Sequence, residues 1–457
     1  MINCTLKEIS NIVNGKLIGK NKIINFISIN SKNIKNKCLF IAFKGINFDS
    51  HIFVEDSIKN GAIAILVSKY FVNISIPQII VNNVNNSFFS IAKFIRKKSN
   101  SYIIAITGSC GKTSIKEMTF CILKNIRKSY LTNKNENNII GISLTLCNIE
   151  YYNMFVILEV GTDGLNQINN LIDIIEPNIV LISNLFISHF SKLNNYYNLI
   201  RAKGEILEKL SLCNRVILNF DSNNWNYWKF ISFNKIPLFF SLNKLNNVDF
   251  YSENIITYNF KSSFILNSPI GKIKINLNVP GINNIYNSIA ASAISILLGS
   301  NLNNIQKSLF KFKSINNRLK PIFISKNKII LDDTYNANLG SFISSSNLLS
   351  NINGYKVIII ADILELGNAE VFLHKRMGKI INNLNIDKVL SIGKLSYYIT
   401  LNCKGEHFYN INNLIERIVF LIKKYNNIVI LIKGSRKNRL DELIKILINK
   451  KNDNIIN

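Results

Sequence analysis

An apolar strand that runs into a glycine-bounded loop and then a helix is the feature that most constrains the fold of this chain. The segment IIAITGSCGKTSIKEMTFCILKNI spans residues 103–126. Gly108 and Gly111 let the loop turn its N–H groups inward, and the following helix adds the positive end of its dipole. Lys112 supplies a charge, and the Thr113 hydroxyl can reach a Mg²⁺ ion. This layout predicts a loop that binds nucleotide phosphates; an ordinary strand-to-helix turn is the competing interpretation.

The helix after the loop is supported by its own residue pattern. Apolar residues repeat at helical spacing, at Ile115, Met118, Ile122 and Ile126. The loop is shortened at its front relative to the common phosphate-binding loop, and it would work through its backbone, which leaves the Cys110 side chain without an expected role. The predicted ATP contacts of the loop are Gly108, Ser109, Cys110, Gly111, Lys112 and Thr113.

Length and charge limit the class of protein. A chain of 457 residues suggests about three domains at roughly 150 residues each. The formal charge of +28 suggests nucleic acid or an anionic membrane as a partner. However, Lys and Asn are spread along the whole chain and Ile replaces other aliphatic residues, which indicates a nucleotide-composition bias. We therefore expect no nucleic-acid partner.

Cysteine usage and hydropathy predict a cytoplasmic protein. The seven cysteines include no C-x-x-C pair, which fits a reducing compartment. The N-terminus lacks the apolar region of a signal peptide. The uncharged apolar segment Ile289–Leu298 is about half as long as a membrane span, so we expect a buried core helix and no membrane insertion.

Strands and helices alternate along most of the chain, which predicts mostly parallel sheets covered on both faces. The predicted fold class is therefore α/β with three domains. We expect a small α/β domain at 1–84, a central phosphate-loop domain with a mostly parallel sheet at 85–314, and a Rossmann-like α/β domain at 315–457. The alternation of strands and helices begins again after a linker near 312–321.

Three ionisable residues have positions that suggest chemistry. Glu159 ends the apolar run Phe155–Leu158, where it could hold Mg²⁺ or be a solvated strand end. His189 follows the next strand and is either a ligand or a structural histidine. Lys203 interrupts the apolar stripe of the predicted helix Tyr196–Leu210. Its side chain either reaches outward to solvent or is held inward by an anion.

Two strand ends in the last third of the chain also carry polar clusters. Asp332 and Asp333 end a strand in KIILDDTYNAN and could serve nucleotide hydroxyls or a cation. Capping of the next helix by Asn338 or Ser341 explains part of this pattern without function. The segment IKGSRK at 432–437 is typical of a carboxylate or phosphate site.

Together these segments resemble the Mur ligase family, in order along the whole chain. The motifs that carry the resemblance are SINSKNIKNKCLFIAFKGINFDSHIF, TGSCGKT, TNKNENNIIG, ILEVG, SHF, RAKGEI, PGINNIYN, NNRLKPI, DDTYNAN, ADILELG and IKGSR. The chain departs from the family pattern at Lys32, where Arg is usual, at Lys134, where Gly is usual, and at Asn283, where His is usual. Lys32 keeps the charge but lacks the bidentate fork of arginine.

The resemblance implies roles for individual residues. Beyond the phosphate loop, the expected ATP contacts are Asn284, Asn287, Arg318 and Asp333. The expected Mg²⁺ ligands are Thr113, Glu159, His189 and Lys203, the lysine as a carbamate. The expected catalytic residues are Lys112, Glu159, His189 and Lys203. The expected contacts of the other substrates are Ser31, Lys32, Lys44, Asp49, His51, Asn137, Asn138, Lys433, Ser435 and Arg436.

The implied reaction is ATP-dependent amide formation by a monomeric enzyme. The C-terminal motifs resemble those of the member that joins D-alanyl-D-alanine to UDP-N-acetylmuramoyl-tripeptide through an acyl phosphate. The alternatives within the superfamily are a ligase that adds the third residue, whose usual D-N-P-R motif is missing here, and a folate-glutamate ligase, which the UDP-type N-terminal segment disfavours. A nucleic-acid-binding phosphate-loop protein and a non-catalytic relative are more distant alternatives.

Overall fold

The chain is built on three large sheets, which confirms the predicted three-part α/β architecture. The computed structural model describes residues 1–45, 48–133, 136–150, 154–186, 193 and 195–452. The predicted strands were recognised from buried apolar runs, and the strands Phe155–Glu159, Ile179–Ile182 and Ile428–Lys433 lie where those runs occur. The exact domain boundaries stay predictions.

The N-terminal unit contains a five-stranded sheet and a separate two-stranded ribbon. Pairing is parallel between neighbours except for the first strand, which runs antiparallel to the second. In sheet order the strands are Lys16–Ile18, Gln78–Ile80, Ala62–Val67, Cys38–Ile41 and Phe26–Ser28, and the ribbon strands are Cys4–Thr5 and Ile23–Ile24. The helices are Leu6–Ile12, Val54–Lys59, Val84–Lys98 and the 3₁₀ helix Ser50–Phe53.

The central unit contains a six-stranded sheet in which every pairing is parallel. Its order reverses at the strand Tyr102–Thr107: the next two strands in the chain lie on one side and the later three lie on the other. Ligands of open α/β sheets bind beyond the carboxyl ends of the strands at such a reversal. In sheet order the strands are Leu238–Phe240, Arg215–Asn219, Ile179–Ile182, Tyr102–Thr107, Phe155–Glu159 and Ser129–Leu131.

Helices cover the central sheet, and a small antiparallel sheet, which the sequence did not predict, joins them. Its strands are Tyr251–Thr257, Ser262–Ser268 and Gly271–Leu277. The uncharged segment expected to be a core helix lies in Ile282–Leu297, and most of its side chains are buried. Among the residues that the structure describes, no helix is both long and apolar enough to cross a membrane. The other helices are Lys112–Leu123, Ile139–Cys147, Gln167–Ile175, Tyr196–Glu208, Trp225–Ile231, Leu302–Lys311 and the 3₁₀ helix Phe233–Lys235.

The C-terminal unit contains a second six-stranded sheet, parallel except for its first strand. In sheet order the strands are Lys320–Phe323, Lys328–Asp333, Ile428–Lys433, Tyr355–Ala361, Lys388–Ile392 and Glu406–Phe408. The helices are Leu339–Ser350, Glu370–Asn382, Tyr397–Cys403, Ile411–Lys424, Leu440–Asn452 and the 3₁₀ helices Gly367–Ala369 and Arg436–Asn438.

The N-terminal and central units share one hydrophobic core. Buried residues of the N-terminal unit, such as Leu66, belong to the same packed cluster as Ile103 and Leu158 of the central sheet. The helix Val84–Lys98 packs against helices of both units. The predicted boundary between residues 84 and 85 therefore falls at the start of a helix that both units share. The two units are packed together through this helix and the common core.

Candidate active site

The loop between the central strand and the helix Lys112–Leu123 has a shape that only glycine allows. Gly108 and Gly111 have φ angles of +136° and +86°, which L side chains rarely adopt. A Cβ on Gly108 would lie 2.0 Å from Ser183 Oγ, and one on Gly111 would lie 2.4 Å from Asn287 Oδ1. Both glycines are therefore required by backbone conformation and by space.

A neighbouring loop holds the phosphate loop through hydrogen bonds. The backbone N–H groups of Ser109 and Cys110 donate to the carbonyl oxygen and side-chain oxygen of Asn184, at 3.0 and 2.8 Å. The Ser183 hydroxyl donates to the Cys110 carbonyl at 2.7 Å. Sequence reasoning missed Ser183 and Asn184, although both directly follow the strand Ile179–Ile182 at the same sheet edge.

The start of the loop helix presents positive charge. Gly111 is its N-cap residue, and no side chain caps it. The Lys112 side chain is half-buried, and its ammonium donates to the Gly108 carbonyl at 2.7 Å. Desolvation lowers the pKa of Lys112, and the nearby Glu159 carboxylate opposes that shift. An uncapped helix N-terminus beside a lysine that lines the cavity is suited to bind phosphate.

Glu159 lies against this helix, with its carboxylate buried. It accepts hydrogen bonds from the Thr113 hydroxyl at 2.7 Å and from Asn137 Nδ2 at 3.1 Å. Arg318 Nη2 donates to the same Thr113 hydroxyl at 2.7 Å. A hydroxyl and a carboxylate oxygen side by side are suitable donors for Mg²⁺, which takes few protein ligands when phosphates and water supply the others. The donor set therefore fits the predicted ion.

Lys203 points inward rather than reaching solvent. It is 1% exposed, and its Nζ lies 3.4 Å from the Thr162 carbonyl oxygen. Burial, and then the charge of Lys112, lower the pKa of Lys203 to about 7. A lysine that is partly neutral at physiological pH can react with CO₂, so the side chain is suited to the predicted carbamate. His189, also predicted as a ligand of Mg²⁺, lies outside the described residues.

These groups line one large cavity of about 1020 Å³. Its walls come from the central unit and from the C-terminal unit, and the cavity lies at the reversal of the central sheet order. The predicted site residues that line it are Gly108, Ser109, Cys110, Gly111, Lys112, Thr113, Asn137, Asn138, Glu159, Lys203, Asn284, Asn287, Arg318, Asp333, Lys433, Ser435 and Arg436.

Comparison with known proteins decides the family. Residues 106–295 match the Mur ligase middle domain. The chain is 40% identical to the UDP-N-acetylmuramoyl-tripeptide–D-alanyl-D-alanine ligase of Buchnera aphidicola subsp. Baizongia pistaciae, over 98% of this chain and 99% of that protein. It is 34% identical to the Escherichia coli enzyme of the same name, over the same shares of 98% and 99%. The chain belongs to the Mur ligase family.

Solved Mur ligase structures have the same fold. MurF from Acinetobacter baumannii superposes with a TM-score of 0.91 at 24% identity, covering 98% of this chain and 99% of that one. MurF from Thermotoga maritima in complex with ADP gives a TM-score of 0.81 at 22% identity, covering 94% and 98%. At these identities the likeness concerns the fold alone.

The residues expected to bind adenine in a Mur ligase lie beside the phosphate loop. Asn287 contacts the position of Gly111, and its Nδ2 donates to Asn284 Oδ1 at 3.4 Å. Arg318, from the linker, lies over the Tyr335 ring with its guanidinium carbon 3.9 Å from the centroid. The linker arginine therefore connects the two units that form the cavity.

The C-terminal motifs of this Mur ligase form the far wall of the cavity. Lys433 is buried and pairs with Asp333, and it also lies 3.4 Å from the Asn336 carbonyl. The Ser435 hydroxyl accepts the N–H of Leu364 at 2.9 Å. Arg436 is half exposed and pairs with Asp441 at 3.2 Å. In this arrangement Lys433 and Ser435 hold loops in place, whereas Arg436 is accessible to a ligand.

A contact between the phosphate loop and the C-terminal unit was not expected from sequence. Asn338 caps the helix Leu339–Ser350 together with Ser341, as one sequence interpretation proposed. Its side chain also hydrogen-bonds the Cys110 thiol, with Sγ–Oδ1 and Nδ2–Sγ distances of 3.4 and 3.2 Å. Cys110 therefore has a structural contact of its own.

The predicted substrate residues of the N-terminal unit do not line this cavity. His51 is buried, with Nδ1 at 2.5 Å from Asp49 Oδ1 and Nε2 at 3.0 Å from the Ser68 hydroxyl. Lys44 pairs with Asp49 in an isolated β-bridge. Ser31 is buried and Lys32 is exposed. Both ring nitrogens of His51 thus have partners within the unit, and its substrate contact stays a prediction.

Proposed function

We propose that this Mur ligase joins D-alanyl-D-alanine to UDP-N-acetylmuramoyl-tripeptide, with cleavage of ATP to ADP and phosphate. Relatives at 34% and 40% identity over nearly the whole chain carry the name of this ligase. The observation that carries the proposal is the shared cavity. It brings the phosphate loop, Glu159 and Lys203 together with basic and hydroxyl side chains of the C-terminal unit.

The reaction proceeds in two displacements. The tripeptide carboxylate attacks the γ-phosphorus of ATP, which releases ADP and gives an acyl phosphate. The amine of the dipeptide then attacks the acyl carbon, and a tetrahedral intermediate collapses to the amide and inorganic phosphate. Because both substrates of the first step are anions, positioning and charge neutralisation supply most of the rate acceleration.

The residues of the central unit perform the neutralisation. Lys112 and the uncapped helix end bind the phosphates, and the glycine loop lets the backbone approach them closely. Thr113 and Glu159 would hold Mg²⁺, and Lys203 as a carbamate would hold a second ion. When bound, these ions supply positive charge beside the phosphates.

The C-terminal unit completes the site. Arg318 reaches from the linker to Thr113, and it can turn from that hydroxyl to the nucleotide. The accessible cation Arg436 is placed to bind the carboxylate of the incoming dipeptide. Since the cavity is formed between two units, closure of those units would exclude water from the acyl phosphate.

We further propose that the enzyme acts in the cytoplasm as a monomer. The seven cysteines are free in the structure, which suits a reducing compartment. Size-exclusion chromatography with light scattering should give a mass near 52.1 kDa, and a stable dimer mass would refute the monomer.

A phosphate-release assay tests the reaction. ATP, the UDP-muramoyl tripeptide and D-alanyl-D-alanine are supplied together and then omitted one at a time; release should require all three. Release with a single amino acid or with a folate in place of these substrates would identify one of the alternative ligases. Salt-sensitive DNA binding without any release would favour the nucleic-acid alternative.

The variant Lys112→Ala tests whether the predicted phosphate loop binds ATP. This variant should fold normally, as judged by circular dichroism, and lose nearly all ligase activity because the cation beside the phosphates is gone. Near-normal ATP turnover would contradict the assignment of the loop.

A further inference from the structure

A fully buried lysine lies behind the active site. Lys116 is on the helix Lys112–Leu123, one turn after Lys112, and its exposure is 0%. It is not among the residues that line the cavity. A buried ammonium is strongly destabilising unless it is paired and hydrogen-bonded. The partners of Lys116 therefore indicate why it is present.

Among the described residues, contacts within 4.0 Å join the Lys116 ammonium to oxygen atoms of Thr132, Glu117 and Glu159. The Thr132 carbonyl accepts a hydrogen bond at 2.7 Å, Glu117 Oε1 lies at 3.4 Å, and Glu159 Oε2 lies at 4.0 Å. The Glu117 side chain is 32% exposed, so water screens its charge, whereas that of Glu159 is 2% exposed. Charge interactions weaken much less in a buried pair, so Glu159 is the partner that depends most on Lys116.

Thr132 links the same lysine to the backbone of Glu159. The Thr132 hydroxyl oxygen accepts the N–H of Glu159 at 3.1 Å, and the Thr132 N–H donates to the Ile157 carbonyl at 3.1 Å. Lys116 therefore acts on the end of this strand in two ways. It attracts the Glu159 carboxylate directly. Its hydrogen bond also fixes Thr132, whose hydroxyl holds the Glu159 N–H.

Side chains of the cavity wall and a lysine of the protein interior thus both hold the Glu159 carboxylate. Thr113 and Asn137, both of which line the cavity, donate to its two oxygens, and Lys116 attracts it from the protein interior. We propose that Lys116 is a positioning residue of the ATP site, which fixes Glu159 so that its carboxylate can bind the metal ion of the nucleotide. The inference rests on the proposed function only in taking Mg²⁺-nucleotide as the ligand.

The test compares ADP affinity with and without Mg²⁺ by isothermal titration calorimetry. Lys116→Met removes the charge and keeps the length of the side chain. It should leave the metal-free Kd of ADP within about twofold, because Lys112 and the loop backbone are untouched, and reduce the gain in affinity that Mg²⁺ provides by about tenfold. The matched control is Lys124→Met, at the exposed end of the same helix, which should change neither value.

A double-mutant cycle shows whether Lys116 acts through Glu159. In a Glu159→Gln background, Lys116→Met should have no further effect on the Mg²⁺-dependent gain. Three results would each overturn the proposal. They are equal effects of Lys116→Met in both backgrounds, an equal reduction of ADP affinity by Lys116→Met with and without Mg²⁺, and a Mg²⁺-dependent gain that Lys116→Met leaves unchanged.

Two further variants keep the test decisive if Lys116→Met does not fold. Lys116→Gln retains a donor for the Thr132 carbonyl but no charge, and it should also lose the Mg²⁺-dependent gain. Glu117→Gln removes the solvent-screened partner and should retain the Mg²⁺-dependent gain in ADP affinity. A loss of that gain in this variant would contradict Glu159 as the essential partner. The calorimetry uses no peptide substrate. A negative ligase assay would therefore refute the proposed reaction without affecting the test of Lys116.

Discussion

The thiol of Cys110 in the phosphate loop hydrogen-bonds the side chain of Asn338, the N-cap residue of a C-terminal helix. The two residues are 228 positions apart in the chain. Through this contact, the predicted phosphate loop directly touches the C-terminal unit.

We expect the Cys110–Asn338 contact to stabilise the packing of the phosphate loop against the C-terminal unit. A double-mutant cycle with Cys110→Ala and Asn338→Ala should give a coupling of about 0.5–1.5 kcal/mol in the free energy of unfolding, the usual contribution of one hydrogen bond. Asn338→Ala also removes a helix cap, but that effect occurs in both backgrounds and cancels. A coupling near zero would show that the contact is incidental.

Gly111→Ala should weaken ADP binding by at least about tenfold while the protein remains folded. The reason is steric, since the new methyl group would meet the Asn287 side chain at 2.4 Å. Gly299→Ala is a matched control: Gly299 has the same φ of +86° but nothing within 4 Å of its Cβ position. If both variants lose the same ADP affinity, backbone strain and not the Asn287 contact is responsible.

Lys203→Ala should lose most ligase activity, because the expected carbamate supplies a buried carboxylate. Added acetate or formate should restore part of the activity by occupying the space of the carbamate. Phosphate release is the measurement. A variant as active as the parent enzyme would refute a catalytic role for the lysine, and activity lost without any rescue would argue against the carbamate.

Activity should depend on CO₂ in a pH-dependent way. Only the neutral amine reacts with CO₂, and since burial lowers the pKa of Lys203 to about 7, the neutral fraction increases as the pH rises through 7. At equal concentrations of dissolved CO₂, degassed enzyme should therefore regain activity faster at pH 8 than at pH 6. Equal recovery at both pH values would exclude this lysine as the reacting group.

Most of the fold could be predicted because buried strands appear as continuous apolar runs. The runs ending at Glu159 and Asp333 are strands in the structure, and Lys203 was recognised because a lysine inside an apolar stripe is unusual. The small antiparallel sheet was missed because a strand such as Tyr251–Thr257 mixes polar and apolar residues. Ile126, expected on the apolar helix face, lies after the helix end and is exposed.

Long-range contacts could not be predicted from local patterns. Lys116 follows the apolar Ile115 on an amphipathic helix, where a lysine is ordinarily exposed, and only the folded structure places its ammonium near Glu159. The contact of Cys110 with Asn338 likewise depends on how two units pack. Pairings of this kind carry no signature in spacing or periodicity.

The strict geometry of Gly108 and Gly111 also limits how this gene can change. A genome that drifts toward A and T exchanges many codons for those of Asn, Ile and Lys, as the composition of the chain suggests. Glycine codons begin with two G bases, so they are among those most exposed to such drift. At these two positions any substituted side chain meets Ser183 or Asn287. Mutational pressure and stereochemistry therefore oppose each other directly in the phosphate loop.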